Sequence, residues 1–182
     1  MRFDDDGYLK QYYECGTYPR IHDDIFELSK FMPVENVIDL GCCTGLLSKR
    51  LSEKYKLVVG IEISKKYLQK AIKANNIKYL NFGIQEETLV DLNETIRHYD
   101  IRGIFARRII PEIYETGGFK LVNDFVDTIF KAGIEYIALE GRKSNKNAVN
   151  PLYSIDKEGD IFNRKYICIH RYKNCELLKR RE

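Results

Sequence analysis

The chain has 182 residues, 44% of them apolar and 31% charged, with a formal net charge of +3. That length suits one domain burying roughly 70% of the surface its unfolded chain exposes, and the balance excludes a disordered or disulfide-stapled miniature protein. The longest apolar runs, such as 57–61, fall far short of the ~20 residues a membrane-spanning helix needs. The acidic start from Met1 to Asp6 argues against a secretory signal, so a soluble, cytoplasmic chain is expected, with no membrane partner.

Taken in order, the segment 4–32 is rich in tyrosine (Tyr8, Tyr12, Tyr13, Tyr18) and closes on a predicted helix over 22–31, before Pro33. Short β-branched runs then follow at 36–40, 57–61, 77–82, 101–106 and 136–139. Between them apolar residues recur at three- and four-residue spacing: Leu47/Leu51, Leu68/Ala71/Ile72, Leu89/Leu92/Ile96 and Val122/Phe125/Val126/Ile129. Ser64 suits a helix N-cap, and Gly133 suits the residue that closes a helix. Residues 141–165 are polar and loop-like with room for one short helix, and 166–180 read as two strands turning at Lys173–Asn174. Strand and helix in alternation predict an α/β fold, a doubly wound, mostly parallel sheet with an antiparallel C-terminal hairpin.

Two features of composition leave alternatives open. The five cysteines, Cys15, Cys42, Cys43, Cys168 and Cys175, are odd in number and lack metal-ligand spacing, so buried free thiols and no metal site are expected. Residues 163–182 carry Arg164, Lys165, Arg171, Lys173, Lys179, Arg180 and Arg181 against Glu176 and Glu182. Such an end could attract nucleic acid through its phosphates, or it could be a solvated face.

The segment richest in chemistry is Val37-Ile38-Asp39-Leu40-Gly41-Cys42-Cys43-Thr44-Gly45. A buried strand ends, glycines allow close backbone approach, and a helix begins with free N–H groups beside the turn. A dinucleotide fingerprint requires glycine at the places of Cys43 and Leu46, and no G-K-[ST] follows, so a pyrophosphate or P-loop ligand is excluded from this turn. The second run, Val58-Val59-Gly60-Ile61-Glu62, ends in an acid 21 residues after Gly41. An acid so placed on the adjacent strand can accept from ribose hydroxyls. A ribose without a pyrophosphate points to a nucleoside-like ligand.

Asp39-Leu40-Gly41-Cys42-Cys43-Thr44-Gly45 and Gly60-Ile61-Glu62-Ile63-Ser64 together resemble the first two motifs of class I S-adenosylmethionine-dependent methyltransferases, with Cys43 where the middle glycine of D-x-G-x-G-x-G usually sits. The resemblance covers about residues 34–140. It implies a Rossmann-like sheet of order 3-2-1-4-5-7-6 with its last strand antiparallel, and S-adenosylmethionine as cofactor. It also implies that Asp39 lies near the methionine part, that Gly41, Cys42, Cys43 and Gly45 shape the loop, and that Glu62 and Ile63 meet the ribose and adenine. After the third strand, Gln85 (or Glu86) falls where the family often places an acid beside the adenine amino group.

The fourth strand leads into Arg107-Arg108-Ile109-Ile110-Pro111-Glu112-Ile113-Tyr114, without the D-P-P-Y of amino-methylating DNA enzymes or the Pro-Cys of cytosine-C5 enzymes. Arg107 could grip an anionic group on the substrate, and Glu112 and Tyr114 could orient or deprotonate a nucleophile. The plainer reading makes the arginines rim charges and Tyr114 a packing residue. The tyrosine-rich start resembles the lid that precedes the first motif in many of these enzymes, with Arg20 placed to pair with the cofactor carboxylate and His22 a further titratable candidate. Residues 1–182 then form a single methyltransferase-like domain: lid and helix over 1–32, cofactor-binding core over 33–140, loop and hairpin over 141–182. Three functions follow: methyl transfer to a small molecule or nucleotide, methyl transfer to nucleic acid, or non-catalytic S-adenosylmethionine binding.

Overall fold

The computed structural model describes residues 17–142, 150–152 and 154–182. Tyr8, Tyr12 and Tyr13, on which the expected lid largely rests, lie outside the described residues, as does Cys15. The chain runs α1 (Thr17–Glu27), a 3-10 turn (Leu28–Phe31), β1 (Asn36–Leu40), α2 (Leu46–Leu51), β2 (Leu57–Ile61), α3 (Lys65–Gln69) and β3 (Ile77–Leu80). It continues through α4 (Leu89–His98), β4 (Gly103–Arg107), α5 (Ile110–Ala132), β5 (Tyr136–Glu140), α6 (Ile155–Phe162), β6 (Tyr166–Tyr172) and β7 (Cys175–Arg180).

The seven strands form one sheet in the order β3-β2-β1-β4-β5-β7-β6. The first five are parallel, and β7 runs antiparallel to both β5 and β6. Period-two alternation along each strand divides the core between the two faces. Ile38, Leu40, Val59, Ile61, Ile104 and Leu139 pack with Leu92, Ile96, Val122, Phe125 and Phe162 of α4, α5 and α6 on one face. Val37, Val58, Phe105, Ala138 and Leu177 pack with Ile25, Leu28, Leu47 and Leu51 on the other. The order reverses between β2-β1 and β4, which opens a crevice at the carboxyl ends of those strands.

Local chemistry sets the boundaries. Ser64 caps α3, its hydroxyl accepting from the Tyr67 N–H at 3.3 Å. Gly133 closes α5 at φ +101°. The fourth strand starts later than the apolar run at 101–106 suggests, because Ile101 donates back to the Ile96 carbonyl and so completes the exit from α4. The helix expected over 22–31 begins earlier, at Thr17, and tightens to 3-10 over its last turn. Within α5, Gly117 and Gly118 leave the helical region, Gly118 at φ +65° and ψ −164°. That conformation is open essentially to glycine alone. The break separates Ile110–Thr116 from the longer half that packs on the sheet.

The basic C-terminal segment is largely engaged within the protein. Arg180 lies over the Phe130 ring at 3.9 Å and donates to the Phe130 carbonyl at 2.6 Å. Arg181 donates to the carbonyls of Asn163 and Tyr166, Lys165 pairs with Asp127, Arg171 with Glu176, and Lys173 with Asp24. Arg180→Ala therefore removes a stacked cation and a carbonyl bond, and should lower stability by about 1–2 kcal/mol, measured by urea unfolding. An unchanged midpoint would mean that Arg180 does not fasten β7 to α5.

Candidate functional site

The glycine turn after β1 is built from backbone bonds to β2. The N–H groups of Gly41 and Cys42 both donate to the Ile61 carbonyl, at 2.9 and 3.0 Å, and Gly45 N–H closes the turn on the Cys42 carbonyl at 2.8 Å. Gly41, Cys43 and Gly45 take φ of +73°, +53° and +78°. The left-handed conformation disfavours a side chain by roughly 1–2 kcal/mol, so Cys43 carries strain where glycine carries none. What holds it is the carboxylate of Glu62, which accepts from Cys43 N–H at 3.0 Å and from Ser64 N–H at 2.8 Å. The tips of β1 and β2 are thus joined through one acid. Burial pushes the Glu62 carboxyl up, against those N–H groups, which favour its charged form.

A cavity of about 380 Å³ opens over this turn. It draws Gly41 and Cys43 from the first turn, Glu62 and Ile63 from the end of β2, and Phe82 to Gln85 from beyond β3. Arg107 and Arg108 come from the end of β4, Glu112, Glu115 and Thr116 from the start of α5, and Arg142 and Glu158 close the far side. Such a volume lies at the small end of the range for small-molecule sites.

The structure therefore gathers Gly41, Cys43, Glu62, Ile63, Gln85, Arg107 and Glu112 around one space, and leaves other expected residues outside its lining. Asp39 is 3% exposed and turned into the fold, accepting from the Ser48 hydroxyl at 2.6 Å, which ties β1 to α2. Burial raises its carboxyl to about 6, opposed by Ser48 and by Arg107. Cys42 is buried on the side of Gly60, where a Cβ would lie 2.9 Å from its Sγ. Gly45 makes room for the Tyr79 hydroxyl, 2.1 Å from where its Cβ would stand. Arg20 is exposed and lines no part of the cavity.

Tyr114 is a correction of a different kind. On α5 the residues 112, 115 and 116 share one face, and that face lines the cavity. Tyr114 points elsewhere, its ring edge-on to Phe119 at 4.8 Å. It is a packing residue, the plainer of the two sequence readings. Glu86, the alternative to Gln85, is exposed and pairs with Lys120 at 2.8 Å.

Arg107 faces the turn, and its charge acts on Asp39, Cys43 and His22. His22 is 2% exposed; burial first, then Arg107 and Arg50, hold it neutral with a value near 3, too low for a base at neutral pH. Glu112 lines the same cavity as Glu62 and is raised to about 7, chiefly by burial and then by Glu62, with Arg107 opposing. Arg108 stands in the left-handed region at φ +57° and pairs with the buried Glu140 at 3.3 Å. Glu140, Glu158 and Arg142 went unread in the sequence, because none belongs to a motif and all lie beyond the fourth strand.

A sheet in this order, with a glycine turn bound to an acid on the neighbouring strand, defines the class I methyltransferase fold. Residues 37–109 match the family described as Methyltransferase domain. The N-methyltransferase NodS from Bradyrhizobium japonicum is similar in structure, with a TM-score of 0.68 at 11% identity over 94% of this chain and 99% of that one. Its complex with S-adenosyl-l-homocysteine gives 0.64 at 12% identity, over 91% of this chain and 88% of that one. Monomeric WbdD gives 0.63 at 16% identity over 88% of this chain, which spans 41% of the length of WbdD. No curated protein matches the sequence. Over residues 37–109 the chain resembles methyltransferase domains, and its likeness to these solved structures is one of fold.

The strain at Cys43 is open to test. Cys43→Gly should stay within ~1 kcal/mol of wild type, since relief of the left-handed strain offsets the lost packing and the gain in chain entropy. Cys43→Val should cost ~1–3 kcal/mol and weaken S-adenosylhomocysteine binding by displacing the N–H that holds Glu62. Thermal unfolding and calorimetric titration measure both, and equal behaviour of the two variants would sink the account of the turn.

Proposed function

We propose that this protein is an S-adenosylmethionine-dependent methyltransferase that transfers a methyl group to a nitrogen or oxygen atom of a small-molecule acceptor held in the same cavity as the cofactor. The observation that carries the reading is that Glu62 and Glu112 line one cavity, close enough for the charge of the first to raise the second. When bound, S-adenosylmethionine supplies an activated methyl group that passes to a lone pair on the acceptor.

The residues fit that cofactor. Glu62 has two oxygens with about four acceptor sites and spends them on two backbone N–H groups, leaving lone pairs for ribose hydroxyls. Ile63 is 43% exposed at the cavity edge and, with Gly83 and Gln85, offers an apolar face and a polar tip to an adenine ring. Gly41 keeps the backbone low beneath the methionine part. Arg107, beside the turn, takes the role of carboxylate partner that the sequence reading gave to Arg20, because an arginine fork suits a planar anion.

Glu112 serves as the proton acceptor. A general base works best with a value near the working pH, and Glu112 at about 7 meets that condition. Beyond positioning, worth roughly 7–11 kcal/mol of barrier, the protein has little covalent chemistry to perform. A small acceptor is favoured over nucleic acid because Arg171, Lys173, Arg180 and Arg181 are occupied by internal partners.

Two outcomes follow. Glu62→Ala should weaken S-adenosylhomocysteine binding about 10–100-fold, the loss of charged hydrogen bonds to ribose, with the circular dichroism spectrum unchanged; wild-type affinity would remove Glu62 from the site. Glu112 must be ionised to accept a proton, so turnover, followed as tritiated methyl transfer into fractionated extract, should be low in acid and rise through about pH 7. Glu112→Gln should lower the rate about 100-fold or more and flatten that rise, with S-adenosylhomocysteine affinity retained. A pH profile identical in the two proteins would exclude Glu112 as the base.

A further inference from the structure

A side chain outside the cavity lining holds part of that lining in place. β3 ends at Leu80, in register with Ile61 of β2, and the Glu62 N–H donates to the Leu80 carbonyl at 3.1 Å. Strand pairing goes no further. The next residue, Asn81, continues the connection with its side chain: Nδ2 donates to the carbonyls of Glu62 and Ile63, each at 2.9 Å. An amide nitrogen carries two N–H donors, and both are spent on consecutive carbonyls.

Those carbonyls belong to the peptide groups on either side of the Ile63 Cα. A planar peptide leaves each residue two soft dihedrals, so holding both planes fixes the direction in which Ile63 projects. The second peptide is bound on its other edge as well, since the Ser64 N–H donates to Glu62 Oε1 at 2.8 Å. The Ile63 side chain rests on Gly83, where a Cβ would lie 2.7 Å from Ile63 Cδ1 and 3.2 Å from its Cβ. Held in this way by backbone and side chain, Ile63 is nonetheless 43% exposed and lines the cavity. An isoleucine so restrained has a fixed surface to present rather than a core to fill.

We infer that Asn81 is a positioning residue of the cofactor site, acting through Ile63, whose side chain it aims at the flat ring of the bound nucleoside. The inference rests on the methyl-transfer reading of the cavity, which sets Ile63 against adenine. Only a donor serves at position 81. An aspartate has the same outline, but its carboxylate would turn acceptor oxygens toward two carbonyls.

The test uses the full chain with 13C-labelled isoleucine δ1-methyl groups, the Ile63 signal being assigned by its loss in Ile63→Val. Titration of the wild type with S-adenosylhomocysteine should move that methyl saturably upfield, the ring-current signature of an aromatic face stacked on it. Homocysteine, which has no ring, should leave it in place. Asn81→Ala and Asn81→Asp should each weaken S-adenosylhomocysteine binding about 3–10-fold and reduce the Ile63 shift at saturation. The methyls of the buried Ile25 and Ile104 should keep their wild-type positions in both variants. Wild-type affinity with an unreduced shift in either variant, displaced core methyls, an Ile63 methyl unmoved in the S-adenosylhomocysteine-bound wild type, or the same movement with homocysteine overturns the role of Asn81 alone. Failure of the wild type to bind S-adenosylhomocysteine would overturn the methyl-transfer reading, and the positioning role with it.

Discussion

One carboxylate joins the tips of the two central strands, β1 and β2. Glu62 ends β2, yet its oxygens are bound by the N–H of Cys43, after β1, and of Ser64, ahead of α3. Parallel neighbours exchange backbone bonds only along their length, and past Leu40 and Ile61 that ladder ends. The acid continues the connection by one further step. It fixes the turn in a conformation that Cys43 would otherwise resist. A buried acid in this position is stabilised as an anion by N–H donors and destabilised by lost water; a bound ribose would add donors to the first side of that balance.

The same logic explains why the turn tolerates cysteine. Glycine is favoured at positive φ because it has no Cβ, but a small side chain can be held there when surrounding bonds over-determine the backbone. Cys43 and Arg108 are both non-glycine residues at positive φ, and both line the cavity. Each is fastened by an acid on an adjacent element, Glu62 for Cys43 and Glu140 for Arg108. The strain at the two strand tips is thus coupled to the charges that shape the site.

Legibility in the sequence followed the range of the interactions involved. The runs at 36–40 and 57–61 were read to the residue, because fully buried strands are written as continuous apolar segments with polar ends. The turn at Lys173–Asn174 was equally plain. Gly41 and Glu62 were legible because a motif of fixed spacing carries them. Tyr114 was ambiguous because a short stretch of sequence does not reveal where a helix begins, and one residue of phase moves a side chain by 100° around it. Arg20 was read as the partner of the cofactor carboxylate and Arg107 as a grip on the substrate, since position around the turn depends on how α1 and β4 pack against it and no local pattern records that. Glu140 and Glu158 were out of reach for a related reason: they meet the site only after β5 and α6 fold back, and nothing local distinguishes a buried glutamate from a solvated one.

Two carboxyls of the cavity lining show how surroundings set what one kind of side chain can do. Glu112 and Glu158 are chemically identical side chains, and both are raised by burial. Glu112 has Arg107 and Arg142 to offset Glu62 and Glu115, and so stands at about 7. Glu158 has Arg108 and Arg142, but Glu140 and Glu176 press on it from the sheet, and it stands at about 9. A group near neutrality can take a proton and release it again within a reaction cycle, whereas one two units higher keeps its proton at neutral pH. The same side chain thus exchanges protons at one place in the lining and stays neutral at another, according to the charges and the water around it.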